Sequence, residues 1–303
     1  MALTSTSTEH FARHALRPEA VARESFLFNV KLPELGLAGL VYTWVNADSV
    51  AGCAAWIYGG NPDGTAIFEI SDGIPVPADQ GFDRWTVGPL TASMRPGNEG
   101  TTAHFAGDRL EVELEFHPMH ERYLYSEAPS GCPSYFADDR MEQSGRVTGR
   151  LRIDDREIPF EALGHHDHSW GTRDWGAVQH YKWLESQAED TSVHVFDLQA
   201  YGERHLAGYV YQDGVRSEVR TADWKVTYDE RWVQQTVELR VVDETGRETT
   251  VTGQTFSDIA FPVDPNATLV EAMVRAEVGG RPGTAYLDFL WPPDYIAHIT
   301  ATK

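Results

Sequence analysis

Cysteine is almost missing from this chain: Cys53 and Cys132 are the two in 303 residues. Two thiols support neither a disulfide framework nor a four-thiolate zinc site, and they fit a reducing compartment. Positive charge is scarce as well. Lys and Arg number 25 against 46 Asp and Glu, which leaves a formal net charge of −21. So acidic a surface repels phosphate backbones and anionic lipid, so no nucleic-acid partner is expected and a neutral or apolar ligand is favoured. No apolar run approaches the length of a membrane span, so no integral membrane segment is expected. The first residues, Met1 to Glu9, lack the basic start and apolar stretch of a signal peptide. These absences point to a cytoplasmic protein with a hydrophobic small molecule as its partner.

Helical periodicity is scarce too. Glu9 to Arg23 is the one helix expected near the start, in an N-terminal segment spanning residues 1–24. Beyond it the dominant period is two. In Arg109-Leu-Glu-Val-Glu-Leu-Glu-Phe116 the residues Leu110, Val112, Leu114 and Phe116 share one face. Thr236 to Val241 repeats the pattern, and Ala285 to Leu290 does so less strictly. Asp154-Asp155 and Asp213-Gly214 mark tight hairpins. So many short strands cannot form one simple sheet, and splitting or closure is expected. The chain is therefore read as all-β, with one antiparallel barrel over 25–160 and a second over 161–303.

The densest chemistry is present where the halves meet. Gly164-His-His-Asp-His-Ser-Trp-Gly-Thr-Arg-Asp-Trp175 packs three His, two Asp, two Trp and an Arg into twelve residues. Such groups are costly to bring together, and a dense mixture marks a place where proton affinity is tuned. If the run is extended, His166, His168 and Trp170 face one way and His165, Asp167 and Ser169 the other. Three readings stay open. An Asp–His pair can act as general acid and base, because a buried carboxyl holds its proton. His166 and His168, two apart on a strand, can chelate a metal, as a metal-dependent hydrolase would need. Or the motif is structural, with Trp170 and Trp175 plugging a junction and Arg173 and Asp174 in ion pairs. A second polar stretch favours proton chemistry: Asp197 and Gln199 share a face in a strand flanked by Val193, Phe196 and Leu198. Tyr181 and Trp183 could build an aromatic wall, and Glu142-Gln143 opens the strand before the motif.

The Gly164 to Gly171 run, extended by Arg173-Asp-Trp175, resembles the signature of the carotenoid hydratase (hydroxyneurosporene synthase)-like superfamily. Relatives carry Gly-x-x-Asp-His-[Asn/Ser]-Trp-Gly, and one branch has the longer Arg-Asp-Trp extension. Glu142-Gln-Ser-Gly145 is similar to that branch as well. The resemblance implies two tandem lipocalin-like barrels and chemistry on greasy ligands with no metal and no organic cofactor. It implies catalytic roles for His168, Trp170 and an Asp on a later strand, here Asp197; two residues before it, where the hydratases carry Tyr, stands Val195. Asp167 or Asp197 would be the acid, with His168 orienting it and Trp170 facing a carbocation. His166, Trp175, Tyr181, Trp183 and Glu142 are the expected substrate-binding residues. The function expected is a cofactor-independent hydratase, dehydratase or cyclase acting on a terpenoid, steroid or prenylated aromatic. A non-catalytic lipocalin-type carrier is the main alternative.

Overall fold

The computed structural model describes residues 12–18, 22–60, 66–95 and 100–301. Among them the first strands are β1 (Ala22–Leu32), β2 (Leu37–Asn46), β3 (Val50–Gly59) and β4 (Ile67–Pro75). Next come β5 (Trp85–Val87), β6 (Leu90–Met94), β7 (Thr101–Ala106), β8 (Leu110–Pro118) and β9 (Tyr123–Leu124). Two long strands, β10 (Asp139–Ile153) and β11 (Arg156–Thr172), complete the first half. The second half holds β12 (Val178–Ala188), β13 (Thr191–Ala200), β14 (Glu203–Gln212) and β15 (Val215–Tyr228). It ends with β16 (Gln234–Asp243), β17 (Glu248–Asp264), β18 (Ala267–Val278), β19 (Arg281–Trp291) and a short helix, α1 (Pro293–Ala301).

The strands form two tandem lipocalin-like barrels. The first is a nearly closed antiparallel sheet in the order β4-β3-β2-β1-β11-β10-β8-β7-β6-β5, with β9 added against β10. The second, β12 to β19, closes fully because β12 pairs with β19. The sheets divide between Thr172 and Val178, past the expected boundary at residue 160, since β11 runs on through the whole motif. The expected N-terminal helix is corrected where it can be seen. Residues 12–18 are irregular and Ala22–Leu32 is a strand; residues 9–11 and 19–21 lie outside the described residues. Pro18 removes a helical donor, and Phe26, Phe28 and Val30 supply a period-two buried face that a helix would scatter.

Local pattern accounts for much of this. In β8 Leu110, Val112, Leu114 and Phe116 are buried, while Glu111 and Glu113 pair with Arg152 and Arg150 across from them on β10. Asp213 and Gly214 both take positive φ, 55° and 78°, as a two-residue hairpin turn requires.

Three apolar layers result. Phe26, Phe28, Phe105 and Phe116 belong to the interior of the first barrel. Valine, leucine and alanine side chains such as Val195, Val210, Leu239 and Leu287 fill the second. The third layer is aromatic and lies between the barrels, joining Trp56 and Tyr58 to Trp183, Phe196, Tyr209 and Tyr286. Strands β12, β13, β18 and β19 are therefore covered on both faces, and they read as continuous burial instead of alternation.

A buried ion pair crosses this layer. Lys31 of β1 meets Glu185 of β12, both fully buried, and Asn29 Nδ2 donates to the same carboxylate at 2.9 Å. Burial lowers the Lys31 pKa, and Glu185 works against that shift. Lys31→Met is expected to cost about 3–5 kcal/mol by stranding the Glu185 charge. Adding Glu185→Leu should recover much of the loss in urea denaturation. Equal stability of the single and double variants would show that the pair does not act as a unit. The glycine ending the motif has a geometric cause: Gly171 sits at φ 111°, and a Cβ there would lie 2.3 Å from the Asp138 backbone N. Gly171→Ala should therefore destabilise by more than about 1 kcal/mol, read as a fall in Tm, although it removes no contact.

Candidate active site between the barrels

Strand β11 splits the motif as alternation demands. His166, His168 and Trp170 point into the first barrel, while His165, Asp167 and Ser169 point toward the second. Register fixes what each meets, because Asp167 lies opposite Leu27 and Glu142, and Ser169 lies opposite Ser25 and Arg140.

On the inner side, the His166 ring stacks on Phe28 with centroids 4.3 Å apart, and its Nδ1–H donates to Leu27 O at 3.0 Å. His168 Nε2 lies 2.8 Å from Glu24, and His14 Nδ1 lies 2.6 Å from the same carboxylate. Trp170 stacks flat on His14 at 3.8 Å. Burial alone would raise Glu24, but the two imidazoles outweigh it and hold the carboxylate below its ordinary range. The ligand atoms of His14, Glu24 and His168 lie within 4.8 Å of one another, a donor set able to hold a metal ion such as zinc. His166, the partner expected for such a site, is turned to Phe28 and Leu27.

On the outer side, Glu142 is the hub. It is fully buried and accepts from Arg140 Nε at 2.5 Å, Trp183 Nε1 at 3.0 Å and Tyr125 OH at 3.1 Å, with His165 Nε2 at 2.7 Å. Burial opposes its charge, yet Arg140, with the hydrogen bond from His165, holds it ionised. The Tyr125 hydroxyl also lies 3.0 Å from His194 Nε2, whose Nδ1–H is spent on Leu184 O. Burial keeps His194 neutral, with its pKa lowered to about 3. Arg140 extends to Asp167 through Nη2.

Next to this network is a cavity of about 310 Å³. The first barrel contributes Leu27, Tyr42, Trp44, Trp56 and Phe68, together with Arg23, Arg140 and Asp167. The second contributes Tyr181, Phe261, Leu269, Glu271, Tyr286 and Asp288, and the segment joining the barrels adds Arg173 and Trp175. Glu271 and Asp288 are direct cross-strand partners on β18 and β19, so their carboxyls share one face. Trp56 Nε1 donates to Glu271 at 3.3 Å, Tyr286 is a second partner, and Tyr181 OH donates to Asp288 Oδ2 at 2.9 Å. Asp288 Oδ1 is buried without a partner. Burial lifts Glu271 to about 8, with the Asp288 charge adding to it, and lifts Asp288 to about 7. Burial also raises Asp167, to about 6, against the pull of Arg140.

The residues expected from the sequence therefore separate into distinct environments. Asp167, Trp175 and Tyr181 line the cavity. Glu142 and Trp183 stand behind it in the interbarrel network. His166, His168 and Trp170 are on the far side of β11. Asp197 is elsewhere: its carboxylate is held by Arg204 at 2.8 and 2.9 Å and by Trp224 Nε1 at 3.0 Å, on the strand face that continues into the second barrel's core through Val193 and Val195. Sequence reasoning missed Glu271 and Asp288. The signal was a lone carboxylate within an apolar strand, Leu269-Val-Glu-Ala-Met273 and Ala285-Tyr-Leu-Asp-Phe-Leu290, the same signal that drew attention to Asp197.

Solved structures of this shape are recognisable once the fold is laid out. One is a protein given the name AttH, from Nitrosomonas europaea, with a TM-score of 0.66 at 11% identity over 94% of this chain and 97% of that one. Kievitone hydratase from Nectria haematococca has a TM-score of 0.62 at 9% identity over 96% of each chain. CghA with Sch210972 has a TM-score of 0.60 at 14% identity over 90% and 89%. At such identities the likeness shows a shared fold. No curated protein matches the chain at sequence level. The model of the family described as Domain of unknown function (DUF7064) matches residues 7–293, and the chain belongs to that family.

Proposed function

We propose that the protein is an acid–base lyase or isomerase, a hydratase, dehydratase or cyclase, that protonates an apolar terpenoid, steroid or prenylated aromatic in the cavity between its barrels. The observation that carries this reading is the Glu271–Asp288 pair. Two adjacent carboxyls in an aromatic cavity are lifted to about 8 and about 7, so the pair retains a proton at neutral pH. A carboxyl kept neutral in this way is a proton donor. The name of one structural neighbour, kievitone hydratase, agrees with it.

The step balances simply. A carboxyl O–H proton passes to an alkene carbon, or to a hydroxyl that then leaves as water. A carbocation forms, and the carboxylate becomes an anion. The ring faces of Trp56, Tyr42 and Phe68 stabilise that cation through their quadrupoles. Water or an internal hydroxyl adds to the cation and gives its proton to the carboxylate; in dehydration, or after an internal alkene has added, a C–H next to the cation gives up the proton to the carboxylate and a new alkene forms. Apolar walls limit stray water. Asp167, held by Arg140, faces the same space and can orient the quenching water. In this scheme His168 and Trp170 are positioning residues that brace β11 from behind, and Asp197 is structural.

Two expectations follow from the pair. Purified protein should be incubated with alkenes and tertiary alcohols of those skeletons and the products followed by mass spectrometry for gain or loss of one water, or for isomerisation. Glu271→Gln or Asp288→Asn should lower turnover by about 10²–10⁴-fold with ligand affinity nearly kept, while Asp197→Asn lowers Tm and spares turnover. Ligand binding without turnover across the set would leave the carrier reading instead. The second expectation is thermodynamic. Glu271 rises from 4.5 to about 8 on folding, so between those values the folded state holds more protons than the unfolded state. Its contribution to stability therefore falls as pH rises through that window. Urea titrations from pH 5 to 8.5 should show a flatter pH dependence in Glu271→Gln than in the parent, and identical slopes would refute the raised pKa.

A further inference from the structure

The net charge of −21 argues for a neutral ligand, but the cavity carries guanidiniums that its own carboxyls leave without ion pairs. Three guanidiniums line it: Arg23, Arg140 and Arg173. Arg140 is neutralised twice, by Glu142 and by Asp167. The other two have neutral partners. Arg173 Nη2 donates to Ser169 Oγ at 2.7 Å, and its guanidinium lies over the rings of Phe136 and Trp175, at 4.7 and 5.3 Å. Arg23 Nη2 donates to Tyr42 OH at 2.8 Å, the guanidinium lies over that ring at 5.6 Å, and Nε is buried without a partner. Neither has an ion pair with an acidic residue among the described residues. Burial, with repulsion from Arg140 and Arg23, lowers Arg173 to about 10, which leaves it charged at neutral pH. Burial lifts Glu271 to about 8 and Asp288 to about 7, so the pair supplies less than its full negative charge there.

An acidic chain has ample carboxylates with which to pair two half-buried arginines, and here it supplies none. Their position matters as well. Arg23 lies opposite Gly171 at the start of β1, whereas Trp56, the partner of Glu271, pairs with Leu40, which in turn pairs with Asn29. That is six residues along β1, on the order of 20 Å of backbone. Arg23 and Glu271 thus enter the aromatic-walled space from separate strands, while Arg173 lies close enough to act on Asp288.

We infer that the substrate carries a carboxylate, held by Arg23 and Arg173, with its apolar body reaching along the aromatic wall to the Glu271–Asp288 pair. A planar guanidinium fork matches a carboxylate. This rests on the cavity being the substrate site, and it adds a reason for regiochemistry: one fixed end determines which alkene carbon meets the acid.

The test is a binding measurement, independent of turnover. Farnesoic acid, lithocholic acid and 4-hydroxy-3-prenylbenzoic acid, each against its methyl ester, are titrated into the full-length chain at pH 7.5, with farnesyl diphosphate as a further arm. Calorimetry and quenching of cavity tryptophan fluorescence give Kd. At least one acid should bind about tenfold or more tightly than its ester. Arg23→Gln and Arg173→Gln should each remove most of that preference while leaving ester affinity in place. Arg173→Lys should restore part of it. The acid–ester comparison needs no variant, so a variant that misfolds does not block the answer. Esters binding as well as their acids would overturn the carboxylate and leave the acid-catalysis reading standing. Tighter binding of the diphosphate would also overturn it. Binding of none of these ligands would count against the cavity as substrate site, and this inference would fall with it.

Discussion

The structure depends on one buried anion. Glu142 draws donors from four separate places: Arg140 on its own strand, His165 on β11, Trp183 on β12 and Tyr125 from the loop before β10. A carboxylate that deep is tolerable only when its lone pairs are taken up, and here the groups that take them come from both barrels. The charge therefore fixes how one barrel sits on the other. It also commits Arg140, whose remaining edge determines the orientation of Asp167.

The other interbarrel carboxylates show what happens without such donors. Glu271 is as enclosed and Asp288 only partly exposed, but hydroxyl and indole groups serve them instead of a guanidinium. Desolvation then prevails and lifts both pKa values. One protein thus holds buried acids in opposite ionisation states, set by a few neighbours each. Separated proton affinities of this kind are what acid–base chemistry at neutral pH requires.

Much of the fold was legible because strand alternation is a local property. β8 and the hairpin turn at Asp213-Gly214 follow from residue order alone, and so does the division of the motif into two faces. What failed was any inference that needed to know the neighbouring strand. Asp197 and Asp288 have the same appearance in sequence, each a carboxylate in an apolar strand. Arg204 forms an ion pair with one, while the other is held by a tyrosine hydroxyl and has no ion pair among the described residues. Strands covered on both faces lose the alternation that would say which side is core. The N-terminal helix failed for a related reason: the residues from Glu9 to Arg23 could not by themselves show that β1 had a sheet to join at Ala22.

The placement of β11 has a consequence for interpreting any mutational survey of this protein. Its backbone is a partition a single chain thick, with an imidazole–carboxylate cluster on one side and the cavity on the other. Residues adjacent in number report on different compartments. A histidine-directed reagent, or a scan that abolishes activity at His168, would register a shift of the partition as readily as the loss of a reacting group. Loss of function along this stretch therefore identifies the wall, and assigning chemistry to a residue requires knowing on which side of it the side chain stands.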